Sequence, residues 1–195
     1  TQIVLIKSVT EMKVIGETLD DAAGEAFDKS AKILGLTYPG GPLIDKYAKK
    51  GDKDKFTFGK HKVGKYDFSY SGIKTSILRV VEKEVSKNPN FIQDNLEDLC
   101  ASIQHTIVEI LIKKITKASS ELGINEIAIA GGVSANSYLR SRLIELQEEQ
   151  GKNVFIPKFE YCTDNAAMIA ITGYYQFLEK DFSDQSVTPT SRLKL

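Results

Sequence analysis

Along this chain the spacing of apolar residues switches between a period near two and a period near 3.6, and each switch marks an element. "QIVLIKSV" (2–9) and "MKVIG" (12–16) are rich in β-branched and other apolar residues around a turn near Thr10 and Glu11, which predicts two strands of a hairpin. From Glu17 the period lengthens. Leu19, Ala23, Ala26, Phe27, Ser30 and Leu34 step by three and four, predicting an amphipathic helix that Gly35 ends. "YPGGP" (38–42) is dense turn chemistry, and a short helix "LIDKYAKK" (43–50) follows. After the polar stretch 49–65, "YDFSYSGIKTSILRVVEKEV" (66–85) turns helical beyond Gly72, and "KNPN" (87–90) breaks it. One long helix is predicted from Phe91 to Glu121, with Ile92, Leu96, Leu99, Ile103, Ile107, Leu111, Ile115 and Ala118 as its apolar stripe. Beyond Gly123 the order becomes β–α–β–α. "EIAIAGG" (126–132) reads as a strand buried on both faces. A helix over 134–150 follows, with Ser134 as its cap, and then a strand over 153–157. The helix over 163–179 is apolar nearly all round, so it is expected to be sandwiched. The tail 180–195 is polar and irregular. The class is α/β.

Bulk numbers narrow the picture. The 195 residues suffice for one large domain or two small ones; 42% are hydrophobic and 27% charged, as in ordinary globular proteins. Lys plus Arg equals Asp plus Glu at 26 each, so no global field draws the chain to nucleic acid or membrane. Cys100 and Cys162 form neither a CxxC pair nor a disulfide framework, so a reduced, cytoplasmic setting is expected. No stretch reaches the ~20 apolar residues of a membrane span. The chain enters "IVLI" directly from Thr1, which suggests a start inside a larger domain.

Several segments carry candidate chemistry, each beside a plainer reading. In "AIAGGVSANSYLR" (128–140), Gly131 and Gly132 fall where strand passes to helix; they would let a ligand approach the backbone, and Asn136 offers an amide, or they make only a tight turn. Gly41 would let a nucleotide ring or sugar lie against the backbone, or it belongs to a helix C-cap. On 19–29, Asp21, Glu25 and Asp28 share roughly one face with small residues around Gly24; such carboxylates suit a ribose, although acids near a helix start also favour its dipole. In "YCTDNAAM" (161–168), Thr163, Asp164 and Asn165 read as a helix cap, or Asp164 as a ligand at the end of a strand; one aspartate does not make a metal site. Residues 49–65 hold seven lysines and two aspartates, a patch that either meets RNA phosphates or is solvated. The chain has two histidines. His105 falls off the apolar stripe and is expected on the solvent side, His61 sits among lysines, and neither joins a Ser/His/Asp or HExxH pattern. No catalytic side chain is assigned.

Taken in order, "GETLDDAAGEAFDKSAKILGLTYPGGPLIDK", "FSYSGIKT", "AIAGGVSAN" and "CTDNAAMIA" resemble the TsaD/Gcp family, over almost the whole chain. That family comprises tRNA N6-adenosine threonylcarbamoyltransferases, once described as O-sialoglycoprotein endopeptidases. The resemblance implies the C-terminal lobe of an actin/Hsp70/sugar-kinase-like fold with a largely helical insertion. Residues 1–16 would be a hairpin entering the lobe, 17–122 a mainly helical insertion, 123–179 the βαβα segment and 180–195 an irregular tail. It implies transfer of threonylcarbamoyl from threonylcarbamoyl-adenylate to N6 of adenosine 37 in tRNAs that read ANN codons, with release of AMP. Asp28, Gly41, Asp45 and Asn136 match positions that hold the adenylate, and Asp164 matches a carboxylate ligand of one iron or zinc ion. Accessory proteins, a paralogous actin-like subunit and a P-loop ATPase, are the implied partners. The family's HxxxH metal motif does not occur in this chain, and its "SGGH" loop would stand before Thr1, so the chain alone is expected to be inactive and to bind metal weakly. A nucleotide-binding scaffold without chemistry is the competing reading, with a glycoprotease-type metallopeptidase behind it.

Overall fold

The structure is a computed structural model that describes residues 1–59 and 63–190. It is a mixed α/β arrangement with two small sheets. β1 (Gln2–Ile6) and β2 (Met12–Glu17) pair antiparallel, with Gln2 opposite Glu17 and a register shift between Ile3 and Val4. The segment that precedes the third helix hooks onto the end of β2, through Phe68 N to Glu17 O and Leu19 N to Phe68 O, each 2.9 Å. Gly16 permits this approach, since a Cβ there would lie 2.4 Å from the Tyr66 carbonyl oxygen.

Five helices follow: α1 (Ala23–Ile33), α2 (Gly40–Ala48), α3 (Ser71–Val85), the single turn α4 (Phe91–Asp94) and α5 (Leu96–Leu122). α5 is the central member. Leu99, Ile103 and Ile107 on its stripe are completely buried, as are Cys100, Ser102 and Val108 on its other faces, because α1, α2 and α6 all pack against it. Burial pushes the Cys100 thiol up to about 12, with the Glu97 carboxylate adding to the effect. Phe58, Phe68 and Tyr70 fill the space beside this helix, the last two with rings stacked 6.1 Å apart. The chain then runs β3 (Glu126–Ala128), a 3-10 turn (Gly132–Ala135), α6 (Ser137–Gln150), β4 (Asn153–Phe155), a second 3-10 turn (Phe159–Tyr161) and α7 (Ala166–Glu179). β3 and β4 pair parallel, joined across α6.

Six details differ from what the periodicity predicts. α1 starts at Ala23 rather than near Leu19, and Leu19 is exposed; the Asp20 carboxylate beside it is spent on another helix. Gly40 and Gly41 open α2 instead of forming a turn, with Pro39 in front and Pro42 tolerated in the first turn, where no intrahelical N–H is needed. The helix expected over 91–121 is two helices, because Asn95 turns its side chain onto the Phe91 carbonyl at 2.9 Å and leaves helical geometry. β3 ends at Ala128, and only Ile127 in it is buried, so it is not covered on both faces. α7 has no buried residue at all, so the expected sandwich is not formed by any described element. His105 is also not on the solvent side: it is half-buried and shares a 2.9 Å hydrogen bond with the Tyr138 hydroxyl. His61 lies outside the described residues.

No side chain of its own N-cap residue closes α3. Asp20 does this from a distance, accepting from Tyr70 N (2.7 Å), Ser71 N (3.3 Å), Ser69 Oγ (2.5 Å) and Ser71 Oγ (2.7 Å). Burial opposes the charge, yet these bonds outweigh it and hold the carboxyl at about 2, below its ordinary 3.8. A lowered folded pKa gives stability that is present above the unfolded value and is lost as pH falls toward the folded one. Asp20→Ala is therefore expected to cost about 1 kcal/mol of unfolding free energy at pH 7. In urea titrations the gap between variant and wild type should narrow below pH 4 and approach zero near pH 2.

Candidate nucleotide-binding site

The carboxylates of α1 go to different partners. Lys29 pairs with both Asp21 (2.5 Å) and Glu25 (2.7 Å), which offsets one of the two negative charges on that face. Asp28 turns the other way and accepts from Gly40 N (2.7 Å) and Gly41 N (3.3 Å), placing its charge at the positive end of α2. One turn further along α2, Asp45 Oδ1 accepts from Ser137 N (3.2 Å) and Ser137 Oγ (2.7 Å) at the start of α6. Asn136 is the residue just before it. Its Oδ1 accepts from Leu139 N at 2.9 Å and caps α6, while its Nδ2 donates to Gln104 Oε1 on α5 at 2.7 Å. The cap is thus Asn136 and not Ser134. Asp28 is thus tied to the head of α2 and Asp45 to Ser137, the residue after Asn136, so the four positions run across α1, α2 and the start of α6. In this arrangement both ends of the Asn136 amide are engaged within the protein.

The glycines of the two loops differ in why they are glycine. Gly131 has φ of 85°, in the left-handed region that a side chain resists. Gly40 is held small by packing, since a Cβ there would sit 2.4 Å from Ala31 Cβ. Gly41 and Gly132 have no such reason: the nearest atom to a Cβ at Gly41 is Phe27 Cβ at 3.8 Å, and nothing lies within 4 Å at Gly132. Glycine in a helix interior costs up to about 1 kcal/mol relative to alanine, and neither packing nor backbone conformation requires it at these two positions. A cavity of about 330 Å³ opens beside this region, bounded by Thr1, Ile3, Gly24, Gly131, Gly132 and Ser134 among others. The Ser134 hydroxyl on its wall is buried and has no hydrogen-bond partner. None of Asp28, Gly41, Asp45, Asn136 and Asp164 lines that cavity.

Asp164 stands apart from the other four. It is exposed in the segment between β4 and α7, where Asn165 caps α7 through Met168 N at 3.2 Å. Among the described residues no group of three or more His, Cys, Asp or Glu is placed to hold a metal ion. Asp164 by itself does not fit an iron or zinc site. Sequence reasoning passed over Arg140, which joins the two loops: Nε donates to Ser134 O (2.7 Å), and Nη2 to Pro157 O (2.7 Å) and Cys162 Sγ (3.3 Å). Its position four residues after the capping Asn136 was the available signal, since that spacing returns a side chain to the head of the same helix.

The lysine-rich stretch is largely neutralised. Lys49, Lys50, Lys53, Lys55 and Lys65 pair with Asp45, Glu97, Asp54, Asp98 and Glu121 at 2.6–4.0 Å. Lys60 and Lys62 lie outside the described residues. No helix among the described residues is long and apolar enough to cross a membrane.

The family profile described as TsaD, tRNA N6-adenosine threonylcarbamoyltransferase, matches residues 1–171. Curated proteins of the same description are similar throughout. The one from Christiangramia forsetii is 59% identical over 194 residues, covering 100% of this chain and 57% of that protein. Those from Riemerella anatipestifer and Thermosipho africanus are 54% and 49% identical, covering 100% of this chain and 57% and 58% of their own lengths. The chain thus spans little more than half the length of the curated relatives it matches.

The two adjacent glycines of α2 give a paired prediction. Gly40→Ala is expected to destabilise the fold by about 1–3 kcal/mol through overpacking against α1. Gly41→Ala should change unfolding free energy by less than about 1 kcal/mol. Chemical unfolding would measure the two effects.

Proposed function

Because the chain belongs to the TsaD family of tRNA N6-adenosine threonylcarbamoyltransferases, we propose that it forms one wall of an adenylate-binding cleft in such an enzyme. The observation that carries this reading is the placement of Asp28, Gly41, Asp45 and Asn136 across α1, α2 and the start of α6, next to glycines that packing does not demand. The architecture proposed is the C-terminal lobe of an actin/Hsp70/sugar-kinase-like fold, with 17–122 as its helical insertion and 123–179 as its βαβα segment.

In this reading the substrate is threonylcarbamoyl-adenylate. Asp28 and Asp45 accept hydrogen bonds from ribose hydroxyls, and Gly41 admits the nucleotide against the head of α2. Asn136 keeps its bond to Gln104 and its cap on α6, and its amide oxygen has a further lone pair to offer the ligand. The N6 amine of adenosine 37, in a tRNA that reads ANN codons, attacks the carbamoyl carbon. A C–N bond forms, the bond from that carbon to the phosphate oxygen breaks, the amine loses a proton, and AMP leaves. Holding both reactants in one cleft makes the step effectively unimolecular.

Asp164 is proposed as one carboxylate of a metal site whose other ligands lie outside this chain. Since the residues present do not make a site by themselves, no step is assigned to the metal. The proposed partners are tRNA, a paralogous actin-like subunit and a P-loop ATPase, in the cytoplasm.

The full natural polypeptide, assayed with its partner proteins, should form threonylcarbamoyladenosine in a substrate tRNA, and Asp164→Ala should abolish it. Adenylate binding without any transfer would favour the scaffold reading instead. The 195-residue chain alone should give no transfer and hold no stoichiometric iron or zinc by elemental analysis; one equivalent of either metal would overturn that expectation.

A further inference from the structure

Arg140 lies in the first turn of α6, and its guanidinium is used from several directions at once. Nε donates to the Ser134 carbonyl at 2.7 Å, in the turn that follows Gly131 and Gly132. Nη2 donates to the Pro157 carbonyl at 2.7 Å and to Cys162 Sγ at 3.3 Å, in the segment that leads to Asp164. The guanidinium carbon also sits 4.0 Å from the centre of the Phe159 ring. Among the described residues no carboxylate pairs with it. A planar fork with fixed donor directions suits this task, and a lysine could not reproduce it.

The two segments it joins are anchored unequally. The glycine turn has independent ties at its far end, through Asn136 to Gln104 and through Ser137 to Asp45. The segment 157–165 has none of that kind. Among the described residues, its hydrogen bonds to anything earlier in the chain run through Arg140 alone; the others, such as Cys162 Sγ to Lys158 O and Asn165 Nδ2 to Thr163 O, are local.

The geometry points to Arg140 as a positioning residue: it holds the Asp164 segment at a fixed distance from the glycine turn, so that the two parts of the proposed site keep one spacing. This rests on the adenylate-cleft reading for its meaning in catalysis, although the clamp itself does not. Without the guanidinium, the Asp164 segment swings free while Asp28, Gly41, Asp45 and Asn136 keep their places. Transfer then suffers more than adenylate binding.

Cys162 reports the clamp directly. It is 2% exposed beneath the Arg140 fork, whereas Cys100 is fully buried in α5, remote from it in sequence and in a different element. In the full natural polypeptide, labelling of each thiol by a maleimide can be followed by peptide mass spectrometry. Losing hydrogen bonds from a charged donor is expected to raise Cys162 labelling in Arg140→Ala by roughly tenfold or more. Cys100 labelling should not change. In the transfer assay kcat should fall, with KM for threonylcarbamoyl-adenylate within about twofold of wild type. Arg140→Lys keeps the charge but not the fork, and should restore only part of both effects; it carries the same readouts if the alanine variant does not fold. Unchanged Cys162 protection in the variants would overturn the inference, as would Cys100 and Cys162 opening together, which would mean a general loss of structure. A wild-type protein that forms no threonylcarbamoyladenosine would instead sink the functional reading and leave the clamp to stand on the labelling result.

Discussion

One amide ties the candidate site to the helical core. Asn136 accepts from Leu139 N with its oxygen, which starts α6, and donates with its nitrogen to Gln104, which lies on a buried face of α5. A buried polar side chain must have partners or cost free energy, and here each end of one group satisfies a partner in a different element. The start of α6 is thereby fixed in height and rotation against the longest helix of the fold. Asp45 reaches the same point from α2 and Arg140 leaves it toward the β4–α7 segment. The glycine turn, the Asp45 carboxylate and the Asp164 segment are all tied to this first turn of α6.

This organisation gives the same side chains a structural and a functional reading at once. Asp28 satisfies the free amides at the head of α2, and a ligand sitting there would compete for the same electrostatic field. Asn136 is a helix cap in the arrangement described, and the residue type that caps a helix is also one that reads a nucleotide. The distinction comes from the glycines. Gly40 and Gly131 are explained by packing and by backbone conformation, whereas Gly41 and Gly132 are not. Neither packing nor backbone conformation therefore accounts for the glycine at 41, beside the Asp28 carboxylate, or at 132.

Much of the fold is legible in the spacing of apolar residues, because burial on one face of a helix repeats every three to four positions. The stripe from Leu99 to Ala118 contains no exposed residue, and β1, β2 and α3 fall close to where the pattern puts them. What escaped depends on single polar contacts or on distant partners. The break at Asn95 comes from one side chain turning onto the Phe91 carbonyl, and no periodicity reports that. The lysines of 49–65 look like a field in the sequence, yet most are answered by acids supplied from other elements, such as Asp98 and Glu121. α7 is apolar on all sides, and apolarity says that a residue can be buried without saying by what. In the candidate site, positions 28, 41, 45, 136 and 164 are singled out by the family resemblance, whereas Arg140 is signalled only by its place four residues after Asn136, since its partners, the Ser134 and Pro157 carbonyls and Cys162 Sγ, carry no pattern of their own.

The polar stitching between α2, α5 and α6 has a mechanical side. Interdigitated apolar side chains resist sliding, but many apolar residues of similar volume would satisfy the same contacts, so packing alone does not single out one partner for each position. Directional bonds such as Asp45 to Ser137 and Asn136 to Gln104 fix the register, and sliding by even one residue would break them without replacement. The helical segment and the βαβ unit are thus riveted into a single body rather than hinged. In the cleft proposed above, this chain would therefore be the stiff wall, held in one register by bonds that lie within it.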